Sequence, residues 1–271
     1  KSAAESGLSI AQENLADIYL IKKDYTNALL LFSKLAETNS AKAYKTLGYL
    51  YLEGLGVTPD HNKAKEFFEK AATQNDAYSQ YHLGEIYRKE ANYERAHYWI
   101  NKAVEHNYAQ AYGSLGFMYV KGRGVEKNPL TTGKLYKKLA DTNDNAMIKH
   151  LEEIEQYCVQ PYAPTADHVE ACLVSAGAGS ADARKLLAVY YFHGQGVEKD
   201  PIESLAWGLL TPMHVPTEKK DPIAARAFGV SAHLLLTLDA ESIAKAKAKS
   251  IDYRNQYATP PADLSNLTSK D

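Results

Sequence analysis

The sequence repeats itself at a period of 32 or 36 residues, and this repetition constrains the fold more than any other feature. Leucines that open the same short motif are separated by 32, 36, 32 and 72 residues. The last interval is twice 36, so it predicts a degenerate sixth unit at its centre. Periods of this length indicate a solenoid, in which each unit packs on its neighbours. The leucines in equivalent positions are Leu15, Leu47, Leu83, Leu115, Leu151 and Leu187.

Each unit has the pattern of two short helices joined by a turn. In one unit Leu47, Leu50 and Tyr51 have the spacing of one helix face. The longer units insert four residues with a Gly-x-Gly-Val motif, and glycine suits the left-handed backbone that follows a helix end. The shorter units turn instead at 23–25 and 91–93. The inserts start at Gly54, Gly122 and Gly194.

Two columns of large side chains run through the units and supply the predicted core. Burying one such ring contributes on the order of 2–3 kcal/mol. A single helix pair cannot bury both of its faces, so the units are expected to stack. The first-helix column is Tyr19, Tyr51, Tyr87, Tyr119 and Tyr191, and the second-helix column is Leu31, Phe67, Trp99, Leu135 and Trp207.

These motifs resemble the Sel-like repeat family, a close relative of the tetratricopeptide repeats. The Leu-Gly-x-x-Tyr, Gly-x-Gly-Val and late aromatic–alanine motifs match best at 41–72, and also at 109–140 and 181–207. The resemblance covers roughly residues 5–210. It implies an all-α, right-handed α-solenoid of about six helix–turn–helix repeats, followed by C-terminal capping helices.

This resemblance also predicts the organisation of the chain. We expect a repeat array over 1–210, an insertion with capping helices over 211–258, and a disordered tail over 259–271. Asp239 is a candidate N-cap of the terminal helix. The segment 143–178 departs from the family pattern, because Glu152 and Glu155 replace the small and the aromatic residue of the first helix. We interpret these carboxylates as a solvated acidic helix face.

The two cysteines fall in the degenerate unit. Cys158 takes the column of the first turn glycine, seven residues after Leu151, and Cys172 lies in the second helix. In a helix hairpin these columns can meet near the turn, which favours a disulfide worth roughly 3 kcal/mol. Two separate buried thiols are the alternative. A disulfide predicts an oxidising compartment, most simply a bacterial periplasm, and we then presume that a signal peptide preceded Lys1.

Charge and motifs exclude several functions. The 31 basic residues against 33 acidic ones lack the positive excess that nucleic acid requires. No apolar run is long enough to span a membrane. Neither a phosphate-binding loop, a zinc motif, nor a nucleophile motif occurs. We therefore predict no catalytic residues, metal or cofactor, and leave the oligomeric state open.

By resemblance to tetratricopeptide geometry, first helices line a concave face that binds a protein partner. Aromatic residues with cationic neighbours are typical anchors of such interfaces. Some of these rings alternatively pack only against the next repeat. Two further residues, Lys42 and Val120, flank or join the set. The predicted binding residues are Lys45, Tyr49, Leu52, Tyr81, Glu85, Arg88, Phe117, Lys121, Lys185, Val189 and Phe192.

The predicted function is that of a non-enzymatic scaffold or adaptor in the bacterial cell envelope. One alternative is an immunity protein that neutralises a secreted antibacterial effector of the phospholipase type, as the family resemblance suggests. Another is a protein that binds cell-wall peptides or glycans, or hydrolyses them.

Overall fold

The structure is a computed structural model that describes residues 3–159, 164–210 and 221–257. Within these ranges the chain forms fourteen α-helices and no strands. This confirms the all-α solenoid of repeats. The helices are α1 Ala3–Ile21, α2 Tyr25–Ala36, α3 Ala41–Glu53, α4 His61–Ala72, α5 Ala77–Lys89, α6 Tyr93–Glu105, α7 Ala109–Lys121, α8 Pro129–Ala140, α9 Asn145–Cys158, α10 Ala166–Gly177, α11 Ala181–His193, α12 Pro201–Gly208, α13 Pro222–Thr237 and α14 Ala240–Tyr257.

The chain divides into two compact units. The first comprises 1–118 and 123–126, and the second comprises 119–122 and 127–271. In the first unit, consecutive helices from α1 through α6 pack on one another. In the second unit, α8 to α12 follow the same rule, and α13 and α14 then pack on α11 and α12. Among the helices described, none is both long and apolar enough to cross a membrane.

Left-handed residues end the helices as the turn motifs predict. Gly54 and Gly194 follow first helices of long units with φ of 67° and 70°, whereas Lys23 and Ala91 take this conformation in the short units. The sequence analysis missed a second series of left-handed residues, which lies between consecutive units. Asparagine is the residue that best tolerates this conformation after glycine. The series is Asn39, Asn75, Asn107, Asn143 and Gly179.

The key leucines are buried in most units, and the predicted second-helix column is buried at Leu135 and Trp207 of the second unit but shifts by one residue in the first unit. Leu47, Leu83 and Leu187 are fully buried, whereas Leu15 is 42% exposed and Leu151 is half-buried. Phe67 and Trp99 are also only half-buried. The side chains that fill the space between first helices are instead the next residues along, namely Phe32, Phe68 and Ile100.

The predicted sixth unit is present as the helix pair α9 and α10. Its packing differs from that of the other units, because α9 buries only Cys158 among its fourteen residues. Gly133 of α8 and Gly177 of α10 allow these two helices to touch through their backbones. A Cβ atom on Gly133 would collide with the Val174 carbonyl oxygen, and one on Gly177 would collide with the Leu130 carbonyl oxygen.

The predicted capping helices are α13 and α14. The Asp239 side chain accepts a hydrogen bond from the Ser242 backbone N–H at 2.7 Å, which confirms it as a cap. A buried carboxylate, Glu203 of α12, holds α14 in place. It accepts hydrogen bonds from Lys249 Nζ at 2.5 Å and from the Tyr253 hydroxyl. The expected insertion at 211–220 and tail at 259–271 lie outside the described residues.

Candidate functional site

The predicted binding residues of the first unit lie on its first helices. We call this set the first-helix face; it contains Lys45, Tyr49 and Leu52 of α3, Tyr81, Glu85 and Arg88 of α5, and Phe117 of α7. Polar contacts between neighbouring first helices run along it. Lys42 bonds Asp17 of α1 at 2.6 Å, and Lys45 lies 3.3 Å from Asp76, the N-cap of α5.

The face is less basic than the sequence indicates, because its cations are already paired with carboxylates. Lys42 contacts both Glu13 and Asp17. Arg88 forms a bidentate ion pair with Glu85. The Glu85 carboxylate accepts hydrogen bonds from Arg88 Nη2 at 2.7 Å and from Nε at 3.1 Å. The hydrogen bond to Glu85 raises the pKa of the Arg88 guanidinium. The ion pairs therefore hold the charged side chains of this face in fixed positions.

An aromatic cluster joins α4, α5 and the turn before α7. The His82 ring lies 4.1 Å from the Tyr78 ring and 5.4 Å from the Phe68 ring, measured between centroids. Tyr81 packs on Tyr108 at 5.1 Å and hydrogen-bonds the Ser114 side chain. Burial raises the pKa of Tyr78 and of Tyr81, so both phenols stay neutral. Tyr81 is thus half core and half surface.

His82 makes this cluster sensitive to acid. Burial lowers the pKa of His82 below its ordinary value of 6.5, and although Glu85, Glu53 and Asp76 oppose the shift, Lys89 and burial prevail. Below pH about 6.5 the His82 imidazole takes up a proton more readily in the unfolded chain than in the folded chain. The free energy of unfolding therefore falls as the pH drops below this value. When the pH is lowered from 7.5 to 5.5, we expect the free energy of unfolding to fall less in His82→Gln than in the parent protein, as measured by urea unfolding. Equal losses would contradict this assignment.

The exposed part of the first-helix face is aromatic. Tyr49 is 39% exposed, and it lies within electrostatic reach of Tyr78 on the next first helix. Leu52 and Phe117 are half-buried, and the Arg123 guanidinium lies 5.6 Å above the Phe117 ring. Such rings present apolar area at low cost in conformational entropy, which is why they anchor protein interfaces.

In the second unit the predicted binding residues are mostly occupied by the fold. Lys185 bonds Asp182 at 2.9 Å and Asp221 at 2.8 Å, and its hydrogen bond lowers the pKa of Asp221. Val189 is only 7% exposed because α13 covers it, which corrects its placement on an open face. Phe192 packs edge-on to His233 of α13. Lys121, at the end of α7, is exposed, and Val120 beside it is half-buried.

The two cysteines form the disulfide favoured by the sequence analysis. The Cα atoms of Cys158 and Cys172 are 4.9 Å apart, and both residues are fully buried. The bond ties the C-terminal end of α9 to α10. It also belongs to the apolar core around Leu187 and Trp207.

Sequence reasoning missed Tyr78 and Tyr108 as members of the aromatic cluster. Both lie near the N-terminal end of a first helix, outside the columns that repeat in every unit. The available signal was weak: a tyrosine lies three to five residues before three of the six key leucines, at Tyr44, Tyr78 and Tyr112. Periodicity alone does not reveal which of these rings meet across two units.

Stacked helical hairpins with left-handed turns and a surface of aromatic residues define a protein of the helical-repeat class. The Sel1 repeat model matches at 9–40, 41–76, 77–108, 109–144 and 181–209. These segments cover more than half of the chain, which therefore belongs to the Sel1 repeat family. The degenerate unit around α9 and α10 falls outside the matches. Sel1 repeats are in general non-catalytic modules for protein interaction.

Curated relatives match part of the chain. This chain is 39% identical over 92 residues to "ERAD-associated E3 ubiquitin-protein ligase component HRD3B" of Arabidopsis thaliana, and the aligned segment is 32% of this chain. It is 38% identical over 73 residues to the component HRD3 of Candida glabrata, covering 27% of this chain. The chain spans 14% and 9% of the lengths of these relatives.

A solved structure supports the fold. The crystal structure of c5321, a protective antigen present in uropathogenic Escherichia coli strains, superposes with a TM-score of 0.50 at 24% identity. The match covers 99% of this chain and 58% of c5321, and that protein displays an SLR fold. At this identity the likeness concerns the fold alone.

Proposed function

We propose that this protein is a scaffold or adaptor that binds a protein partner through the first-helix face of its first unit. The observation that carries the proposal is the exposed Tyr49 on a face that also carries Tyr81 of the aromatic cluster and charges held in pairs. Fixed rings and preset ion pairs reduce the entropy that binding costs. The Sel1 repeats and the relatives named as components of a ligase complex also favour an interaction role.

We further propose that the protein works in an oxidising compartment, such as the bacterial cell envelope. A fully buried disulfide supports this location, because cytosolic thiols are normally kept reduced. The partner would then be an envelope component or a secreted effector. The same interaction surface serves a scaffold and an immunity protein, and the identity of the captured partner distinguishes them.

Site-specific photo-crosslinking tests the binding face. A photoreactive phenylalanine at Tyr49 is expected to capture the partner in envelope extracts. The matched control is the same probe at Tyr98, which is 55% exposed on α6, a second helix of the first unit. Once the partner is purified, Tyr49→Ala should weaken binding about tenfold. Tyr98→Ala should leave both binding and thermal stability unchanged.

Three results would count against this function. Equal capture from both positions would show that the first-helix face is not selective. Normal affinity of the folded Tyr49→Ala protein would exclude Tyr49 as an anchor. Saturable micromolar binding of muropeptides, with no protein captured at either position, would favour the cell-wall alternative instead.

A further inference from the structure

A groove opens in the second unit between α8, α9 and the C-terminal end of α10. Its volume is about 540 Å³, within the range of sites that bind small ligands or a few side chains. Ile148 and Leu151 of α9 form one wall, and Ala140 and Ala178 lie opposite. Ile148 is 37% exposed although it is a large aliphatic residue. The groove is separate from the first-helix face.

Two departures from the repeat pattern explain why the groove exists. Glu152 stands in the column of Gly48, and Gly48 is where a first helix touches the Phe68 ring of its second helix. A glutamate cannot be buried in such a contact without a partner for its charge. Glu155 replaces the tyrosine of the next column. The helix α9 still packs on α10, but it buries only Cys158 among its residues, and its two carboxylates face the groove.

The neighbouring contacts hold the groove open. Gly133 and Gly177 bring α8 and α10 into backbone contact, which leaves α9 on the outside of this pair. The disulfide fixes the far end of α9 to α10. One turn before Cys158, the Glu155 carboxylate accepts a hydrogen bond from the Ser180 hydroxyl at 2.5 Å. Both contacts anchor the C-terminal turn of α9.

The charges along the groove are mainly negative. Its charged lining consists of three carboxylates, Asp141, Glu152 and Glu155, and one cation, Lys137. Lys137 pairs with Asp141, the C-cap residue of its own helix. Glu152 and Glu155 lie one turn apart on the same face of α9, directly beside the aliphatic wall. Apolar contact and negative charge therefore occur together, which is the complement of a cationic amphipathic segment.

We propose that this groove binds a short amphipathic helix of a protein partner that carries lysine or arginine beside aliphatic residues. The aliphatic side chains pack against Ile148 and Leu151, and a cation pairs with Glu152. This is the helix-in-groove mode of recognition. It gives the protein a second docking site, located in the unit that departs from the family pattern.

Peptide binding to the intact, oxidised protein tests this site. The probe is a fluorescent helix of about 14 residues built from leucine and lysine, and its control has glutamate in place of every lysine. Anisotropy should show saturable binding of the lysine peptide and none of the glutamate peptide. Glu152→Gln should weaken binding about threefold, the effect of one partly exposed ion pair.

A matched variant separates this site from general attraction to an acidic protein. Glu153 lies beside Glu152 on α9 but outside the groove, where its side chain is 61% exposed. Glu153→Gln should leave the affinity unchanged. Ala178→Phe, which fills the groove, should weaken binding at least about tenfold while circular dichroism shows an intact helical fold.

Several outcomes would overturn the proposal. These are tight binding of the glutamate peptide, equal effects of Glu152→Gln and Glu153→Gln, or full affinity in folded Ala178→Phe. If sedimentation shows that the free protein is a dimer and that Ala178→Phe is a monomer, the groove binds a second copy of this chain instead. None of these results bears on Tyr49 or the first-helix face, so both proposals stay independent.

Discussion

Replacing Phe68 by alanine is expected to lower the free energy of unfolding by roughly 3–5 kcal/mol, the usual cost of removing a buried ring. Phe68 is fully buried in the first unit. Its ring fills the space over Gly48 of α3 and stacks on His82 of α5 at 5.4 Å. The substitution leaves a cavity where three helices meet, and the rigid helices cannot close it. Urea unfolding followed by circular dichroism measures the loss.

The neighbouring residue provides the control. Phe67 has the same chemistry and lies on the same helix, but it is half-buried and stacks on Tyr51 at 5.6 Å. Phe67→Ala should therefore cost less than about 2 kcal/mol. Equal losses for the two variants would show that the core does not follow the Phe68 column. A larger loss for Phe67→Ala would restore the column predicted from the sequence.

Removing the disulfide is expected to cost roughly 3 kcal/mol, because it closes a loop of fourteen residues in the unfolded chain. The double variant Cys158→Ala and Cys172→Ala measures this loss in urea unfolding. Both sulfur atoms are buried in the core around Leu187. Alanine fills slightly less space than the bridge, so a small packing loss adds to the entropic one.

Reductant provides the control for this second prediction. It should lower the stability of the parent protein by roughly the entropic 3 kcal/mol, to slightly above that of the double variant, and leave the double variant unchanged. Thiol labelling of the unfolded, unreduced parent protein should detect no free sulfhydryl. Two labelled thiols, or a parent protein whose stability ignores reductant, would refute the disulfide.

The degenerate unit shows both the strength and the limit of repeat spacing. The interval between Leu115 and Leu187 predicts a helix pair around Leu151, and α9 and α10 confirm it. Spacing predicts helices because helix formation depends on local hydrogen bonds and periodic apolar residues. It does not predict that α9 buries a single residue. That follows from Glu152 and from the backbone contact between α8 and α10, which involves residues far apart in the sequence.

The candidate site divides in the same way. The sequence placed Tyr49, Tyr81 and Arg88 on first helices, and the structure finds them there. It did not show that Glu85 pairs with Arg88, although both lie on α5, because side-chain partners depend on orientation as well as spacing. Nor could it show that α13 covers Val189, since the position of a capping helix is set by long-range packing.

By itself the sequence determined the all-helical repeat, the length of its units, the turns inside them and the Asp239 cap, and it favoured the pairing of the cysteines. These features depend on residues within one unit, where glycine, asparagine and aspartate fix the backbone locally. Only the tertiary structure decided that Phe68 rather than Phe67 fills the core, that the surface cations are paired, and that a groove opens beside α9. Each of these depends on the closeness of approach between helices, which is set by side-chain volume and buried charge at several positions at once.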